Sequence, residues 1–225
     1  MGLRRAEVRI MTLSRFLFAA VVLCIALART PSTAQDETPI STNFRVDFTL
    51  VYSALGLAFD PWNDEEPPSR VRLDAYRVAS GFLAGIPFHF ERNRDRLSIF
   101  EQVDDATEEM EFKGHRQDIL DYYFFDYTVW VPSATYDAAH KGNSVHGHGV
   151  SDLEDMAEAR SEARMEALEE VVRSAIRSKY TESNELIPGT IDGRIMWYDV
   201  DTDGVDPESG SYVFDVTAWV SFDEE

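Results

Sequence analysis

The chain has 225 residues, 44% of them hydrophobic and 12% aromatic, which is ample material for a folded core and excludes a disordered polymer. It carries 41 acidic against 21 basic residues, a formal net charge of −20, and a surface of that sign repels nucleic acid and anionic headgroups while attracting cations or a basic protein partner. The single cysteine, Cys24, excludes an internal disulfide framework.

In chain order, the first segment reads as an export signal. Arg4, Arg5, Arg9 and Arg15 precede an unbroken apolar run from Phe16 to Ala28, and Ser32-Thr33-Ala34 supplies small residues for cleavage. Thirteen apolar residues make a helix of about 20 Å, short of the roughly 30 Å hydrocarbon core, so no permanent span is expected. Met11 could equally open this segment. Cleavage after Ala34 removes Cys24, which lies inside the apolar run behind Val21-Val22-Leu23, a context without the small residue that a lipid attachment site requires. It also removes five basic residues and one acidic one, leaving 16 against 40 and a net charge of −24. The expected product is exported to the periplasm or the medium, and it divides into an N-terminal α+β module at 35–140 and a C-terminal β-α-β-β module at 141–225.

Phe44, Val46, Phe48, Leu50 and Tyr52 alternate with Arg45, Asp47, Thr49 and Val51, the pattern of a strand with one buried face. The stretch 60–68, Asp60-Pro61-Trp62-Asn63-Asp64-Glu65-Glu66-Pro67-Pro68, is an acidic, proline-rich loop too charged to bury. Arg70 to Leu83 fits a helix through Val71, Ala75, Val78, Ala79 and Phe82, with Gly81 against it and a strand through Val71, Leu73 and Ala75 as the alternative. Pro87 to Val103 reads as a hairpin turning at Asn93-Arg94-Asp95, with a strand near 97–103.

Tyr123 to Val131 and Tyr212 to Val220 agree at six of nine positions, sharing Tyr-x-Phe-Asp-x-Thr-x-Trp-Val at a displacement of 89 residues. Both are rich in aromatic and β-branched residues, and in both Asp, Thr and Trp share one strand face. Each half can be written β-α-β-β, so the chain reads as a tandem duplication. The additional strand of the 87–103 hairpin is the feature that departs from it.

Between the copies, Ser144 to Val150 reads as a strand and Ser151-Asp152-Leu153-Glu154 as a capping box opening a long helix. Leu153, Met156, Ala157, Ala163, Ala167, Leu168, Val171, Val172, Ala175 and Ile176 form its apolar stripe. Glu158, Glu162, Glu166, Glu169 and Glu170 line the exposed side, and Arg173, Arg177 and Lys179 suit its C-terminal dipole. A strand at 190–200 and a hairpin into the second copy complete the chain. The fold class expected is α+β, a helix packed on an antiparallel sheet, arranged as two tandem β-α-β-β modules.

Residues 145–220 resemble the N-terminal domain of flagellar assembly protein T and related small secreted lipoproteins. The resemblance is carried by Gly147-His148-Gly149, by Ala159, Ala163 and Ala167, and by the closing Ser211 to Val220. It implies an envelope-associated α/β module with a scaffolding role and no catalytic chemistry; the chain departs from the lipoproteins in lacking a lipidation cysteine.

Three patterns bear on ligands. Gly147-His148-Gly149 lies where a phosphate loop would, but the third glycine of a dinucleotide fingerprint falls at Asp152, whose charge opposes phosphate. His146 and His148 alternate on one strand face and could share a metal, with His140, Asp152 or Asp155 in sequence reach. Asp199, Asp201 and Asp203 before Gly204 match half of a calcium loop, with Asp206 or Glu208 to complete a shell, yet the twelfth position is Gly210 and the segment also reads as a hairpin connection. There is no G-x-S-x-G, no H-E-x-x-H and no Walker loop. The expectation is a cofactor-free interaction or scaffold protein of the envelope or medium, its partner surfaces being exposed strand edges and the 60–68 loop. The alternatives are a calcium- or other cation-binding protein and a hydrolase of unrecognised type.

Overall fold

In the computed structural model, the residues described are 43–54, 57–103, 110–118, 122–183 and 186–223. The export segment and Cys24 lie outside them. The elements are β1 (Asn43–Ser53), α1 (Ser69–Ala84), β2 (Ile86–Glu91), a 3-10 turn (Arg92–Arg94), β3 (Arg96–Ile99), β4 (Met110–Gln117), β5 (Tyr122–Pro132), α2 (Ser133–Ala139), β6 (Ser144–Ser151), α3 (Met156–Glu182), β7 (Thr190–Val205) and β8 (Tyr212–Phe222). They form an α+β fold with helices on two antiparallel sheets, ordered β1-β5-β4 and β3-β2-β7-β8-β6.

The near-repeat in the sequence has a counterpart in the topology. Each copy is the central strand of a first–last–third arrangement, β1-β5-β4 in one sheet and β6-β8-β7 in the other. The registers match as well: Asp47 faces Thr128 where His146 faces Thr217, and Thr49 faces Asp126 where His148 faces Asp215. Even the irregularities coincide, since β4 shifts register between Phe112 and Gly114 and β7 between Val200 and Thr202, each beside the Asp of its central strand. A bulge bends and twists a strand at one defined point, and here one recurs at equivalent positions in the two three-stranded arrangements.

Two differences from the sequence reading follow. The third strand of the first half is β4, not 97–103, and α2 has no counterpart in that reading. The hairpin β2–β3 turns where expected, with Asp95 in the left-handed region (φ 46°). It then joins the second sheet, Phe88 pairing with Gly193 and Phe90 with Ile191. The hairpin extends the second sheet, so a boundary at residue 140 does not separate the two sheets. The described residues form one compact unit.

Helix α1 settles in favour of the helical alternative. Val71 and Ala75 enter a cluster with Leu50, Tyr123, Phe125 and Tyr127 on the first sheet. One or two turns later, Ala79 and Phe82 enter the main core. Gly81 is tolerated because the last turn abuts β2, where an added Cβ would lie 3.1 Å from Ile86 Cγ1.

Helix α3 packs on β6 and β8 through Ala159, Ala163, Ala167, Leu168, Val171, Val172 and Ile176, all buried. Burying Leu168, Val171 and Val172 contributes about 1.5–3 kcal/mol each. The helix starts four residues later than the capping-box reading. Ser151 still belongs to β6, its hydroxyl donating to Glu162, and Leu153 is exposed. The cap is Asp155, whose Oδ1 accepts from Ala157 N (2.9 Å) and Glu158 N (3.0 Å).

Gly147 and Gly149 face this helix from inside β6. A Cβ on Gly149 would sit 1.8 Å from the Ala163 carbonyl oxygen, and one on Gly147 2.1 Å from that of Ala167. The Gly-His-Gly pattern is therefore a docking surface for α3 and not a turn between strand and helix. Gly149→Ala is expected to cost about 3 kcal/mol or more, because the clash is with helix backbone that cannot rotate away. Chemical denaturation measures it, with Gly204, which has nothing within 4 Å of an added Cβ, as the control for glycine removal.

Candidate functional site

The five carboxylates of the candidate calcium loop are not gathered by the fold. Asp199, Asp201 and Asp203 lie within β7, which runs on to Val205 and pairs with β8 down to Tyr212, so the segment is strand where the sequence reading placed a connection. The physical reason is the bulge at residue 201, which keeps the ladder intact on both sides of an acidic stretch. Asp203 pairs opposite Phe214, on the α3 side. Its carboxylate takes Arg160 Nε at 3.0 Å and Nη2 at 2.7 Å, and accepts from Tyr212 Oη at 2.6 Å. Burial pushes the Tyr212 hydroxyl above its ordinary range, and the bond to Asp203 adds to the rise.

Asp199 instead accepts from Trp197 Nε1 (2.9 Å) and Asp201 from Thr217 Oγ1 (2.7 Å). Asp206 lies in the turn proper and accepts from Ser209 Oγ (2.6 Å) and the amides of Glu208 and Ser209. Those bonds, that from Ser209 foremost, hold its carboxyl below the usual range. Glu208 thus contributes its amide to the turn. Among the described residues no group of three His, Cys, Asp or Glu is placed to hold a metal ion.

What the fold does gather is a groove of about 230 Å³ on the far side of the same sheet, lined by His146, Gly147, His148, Glu170, Asp201, Asp215 and Val216. His148 Nδ1 lies 2.6 Å from Asp215 Oδ1, and His146 Nδ1 lies 3.0 Å from Thr217 Oγ1, which itself donates to Asp201. His140, Asp152 and Asp155 do not join it. The His140 ring stacks among Tyr136, Trp197 and Trp219, Asp152 accepts from Ser211, and Asp155 caps α3. The repeat alignment could have found the pairing of His148 with Asp215, because the equivalent residues Thr49 and Asp126 are also bonded, at 2.6 Å.

Along one rim of the groove, α3 closes the free edge of β6. Glu170 accepts from the His148 amide (2.8 Å) and Glu166 from that of Val150 (2.9 Å). With Glu162 on Ser151, three glutamates at four-residue spacing satisfy an edge that would otherwise invite another strand. The opposite flank of the helix is tied down by Arg160 and by Arg164, which meets Glu101 at 2.5 Å and is largely buried.

A second surface is the 60–68 loop. Phe59 anchors it, its ring edge-on to His115, Tyr123 and Phe125, and His115 Nε2 lies 3.2 Å from the Pro61 carbonyl. Asp60 then organises the tip, accepting from the Trp62 amide (3.0 Å) and from Asn63 Nδ2 (2.5 Å). These bonds, that of Asn63 foremost, hold the Asp60 carboxyl below its ordinary range. Trp62 at the tip is 88% exposed.

Compared with protein-family models, with curated proteins and with solved structures, the chain has no match in any of the three. Among the described residues no helix is long and apolar enough to cross a membrane.

Asp203→Asn is expected to cost about 2 kcal/mol, the scale of a charge-assisted hydrogen bond lost from a partly covered ion pair whose side chains are 19% and 27% exposed. Asp199→Asn, an exposed residue with one indole contact, should cost well under half of that. Denaturant midpoints of the two variants, measured side by side, check the ranking.

Proposed function

We propose that the chain is an exported, non-catalytic interaction module that engages a protein partner of the cell envelope through the loop bearing Trp62. The observation that carries this reading is an indole 88% exposed on a hydrogen-bonded tip. Water contact with so large an apolar ring is unfavourable, and Trp is among the residues that most often anchor protein interfaces. The backbone beneath the ring is braced, since Phe59 packs at the base of the loop and Asp60 bonds the Trp62 amide at the turn, so docking orders little new chain.

The chemistry of the partner follows from the neighbours. Asp64, Glu65 and Glu66 follow Trp62 in the same loop and give it a negative charge, which Arg72, 3.2 Å from Glu66, offsets only in part. A partner that fits offers an apolar pocket rimmed by Lys or Arg. The export segment read from residues 1–34 and the resemblance of residues 145–220 to an envelope scaffold domain support the compartment.

The test is in-cell crosslinking with the tagged mature protein, followed by recovery from envelope and medium fractions. The reading predicts one envelope protein at steady stoichiometry, with at least tenfold less recovered for Trp62→Ala at unchanged melting temperature. Recovery of the chain alone, or of the same partner undiminished by Trp62→Ala, would contradict it.

A further inference from the structure

The hydrogen bonds around His146 and His148 fix which ring nitrogen of each is left to bind something. The Thr217 hydroxyl has one proton, and it goes to Asp201 Oδ2 at 2.7 Å, since a carboxylate has none to offer in return. At its contact with His146 Nδ1 (3.0 Å), Thr217 must therefore accept, and Nδ1 must carry the ring proton. His148 Nδ1 faces Asp215 Oδ1 at 2.6 Å, which likewise requires the proton on Nδ1. In both neutral imidazoles the lone pair then resides on Nε2. A carboxylate behind the distal nitrogen, directly for His148 and through Thr217 for His146, is the arrangement that fixes the tautomer and orientation of imidazole ligands.

From this geometry we infer that His146 and His148 form a site for a borderline divalent transition-metal ion of the Zn²⁺ or Cu²⁺ class, held through the two Nε2 atoms. The two residues are next-but-one neighbours on β6, so their side chains leave the same face about 7 Å apart along the strand, near enough for long rings to meet one ion. Both rings are accessible, with side chains 80% and 60% exposed, and they line the groove shared with Asp201, Asp215 and Glu170. Imidazole selects this class of ion over calcium or magnesium, which prefer oxygen ligands. No third side chain among the described residues stands in ligand position. Water completes the shell, and the site is an open, exchangeable one. Its surroundings favour a cation, given the net charge of −20 for the whole chain. The inference is independent of the Trp62 loop, which belongs to the other sheet.

The experiment uses the untagged mature protein in moderate salt with excess magnesium, which occupies the acidic surface. Zn²⁺ is titrated calorimetrically, and Cu²⁺ is followed by electron paramagnetic resonance. One equivalent is expected, with nitrogen hyperfine structure from two imidazoles. His146→Gln and His148→Gln should each weaken binding at least tenfold, and the double variant should abolish it. His115→Gln, on the other sheet, should leave it unchanged, and circular dichroism verifies that each variant is folded. Absence of saturable uptake, or one-equivalent uptake that survives the double substitution, would overturn the site.

Discussion

Helix α3 and strand β6 approach so closely that no side chain fits between them at two positions, and much of the remaining structure follows from that contact. Gly147 and Gly149 leave the strand bare, while Ala159, Ala163 and Ala167 keep the facing helix surface low. Backbone proximity has a second effect. It brings the glutamates at 162, 166 and 170 within reach of the strand edge, where two of them accept backbone amides that lack a strand partner. A bulkier β6 would push the helix outward and release those carboxylates. Packing of the helix and protection of the edge are thus one constraint seen from two sides.

The same contact governs what the opposite face of β6 can carry. With alternate residues reduced to glycine on the helix side, the intervening positions hold His146 and His148, aligned with Thr217 and Asp215 of β8. In the first sheet the equivalent positions carry Asp47 and Thr49, bonded to Thr128 and Asp126. One polar cross-strand frame thus appears twice with different chemistry: carboxylate and hydroxyl on β1, two imidazoles on β6. The β2–β3 hairpin adds two strands to the second sheet alone, which widens the platform under α3.

Where the sequence was legible, it was legible through periodicity and repetition. The alternation of Phe44 to Tyr52, the stripe of α3 and the shared Tyr-x-Phe-Asp-x-Thr-x-Trp-Val named the central strands and the main helix, because side-chain period maps directly onto burial. Boundaries failed where local chemistry offered two solutions. Ser151 and Asp155 are both competent caps, and the choice fell to Asp155 because β6 needs Ser151 to complete its ladder with Tyr212. Asp199, Asp201 and Asp203 look like a loop by composition, yet a bulge and three separate side-chain partners carry them through a strand. Strand β4 escaped notice because its burial is incomplete and a register shift breaks its alternation. Of the ligand-bearing patterns, the pair His146 and His148 lines one groove with Asp201 and Asp215. Its link to Asp201 depends on the bulge at that residue, which no local pattern signals. The hydrogen-bonded tip under Trp62 was hidden for a different reason, since its anchor is Phe59 in a core assembled from β4 and β5.

Helix α3 seals the edge of β6 with its glutamates, and amide hydrogen exchange reads that seal directly. The amides of His148 and Val150, which donate to Glu170 and Glu166, should be protected in the native protein. In the Glu166→Ala/Glu170→Ala variant they should exchange at least tenfold faster, while central-strand amides such as that of Val216 stay slow. If those two amides already exchange freely in the unaltered chain, or are indifferent to the substitutions, helix α3 does not seal this edge and the central claim fails.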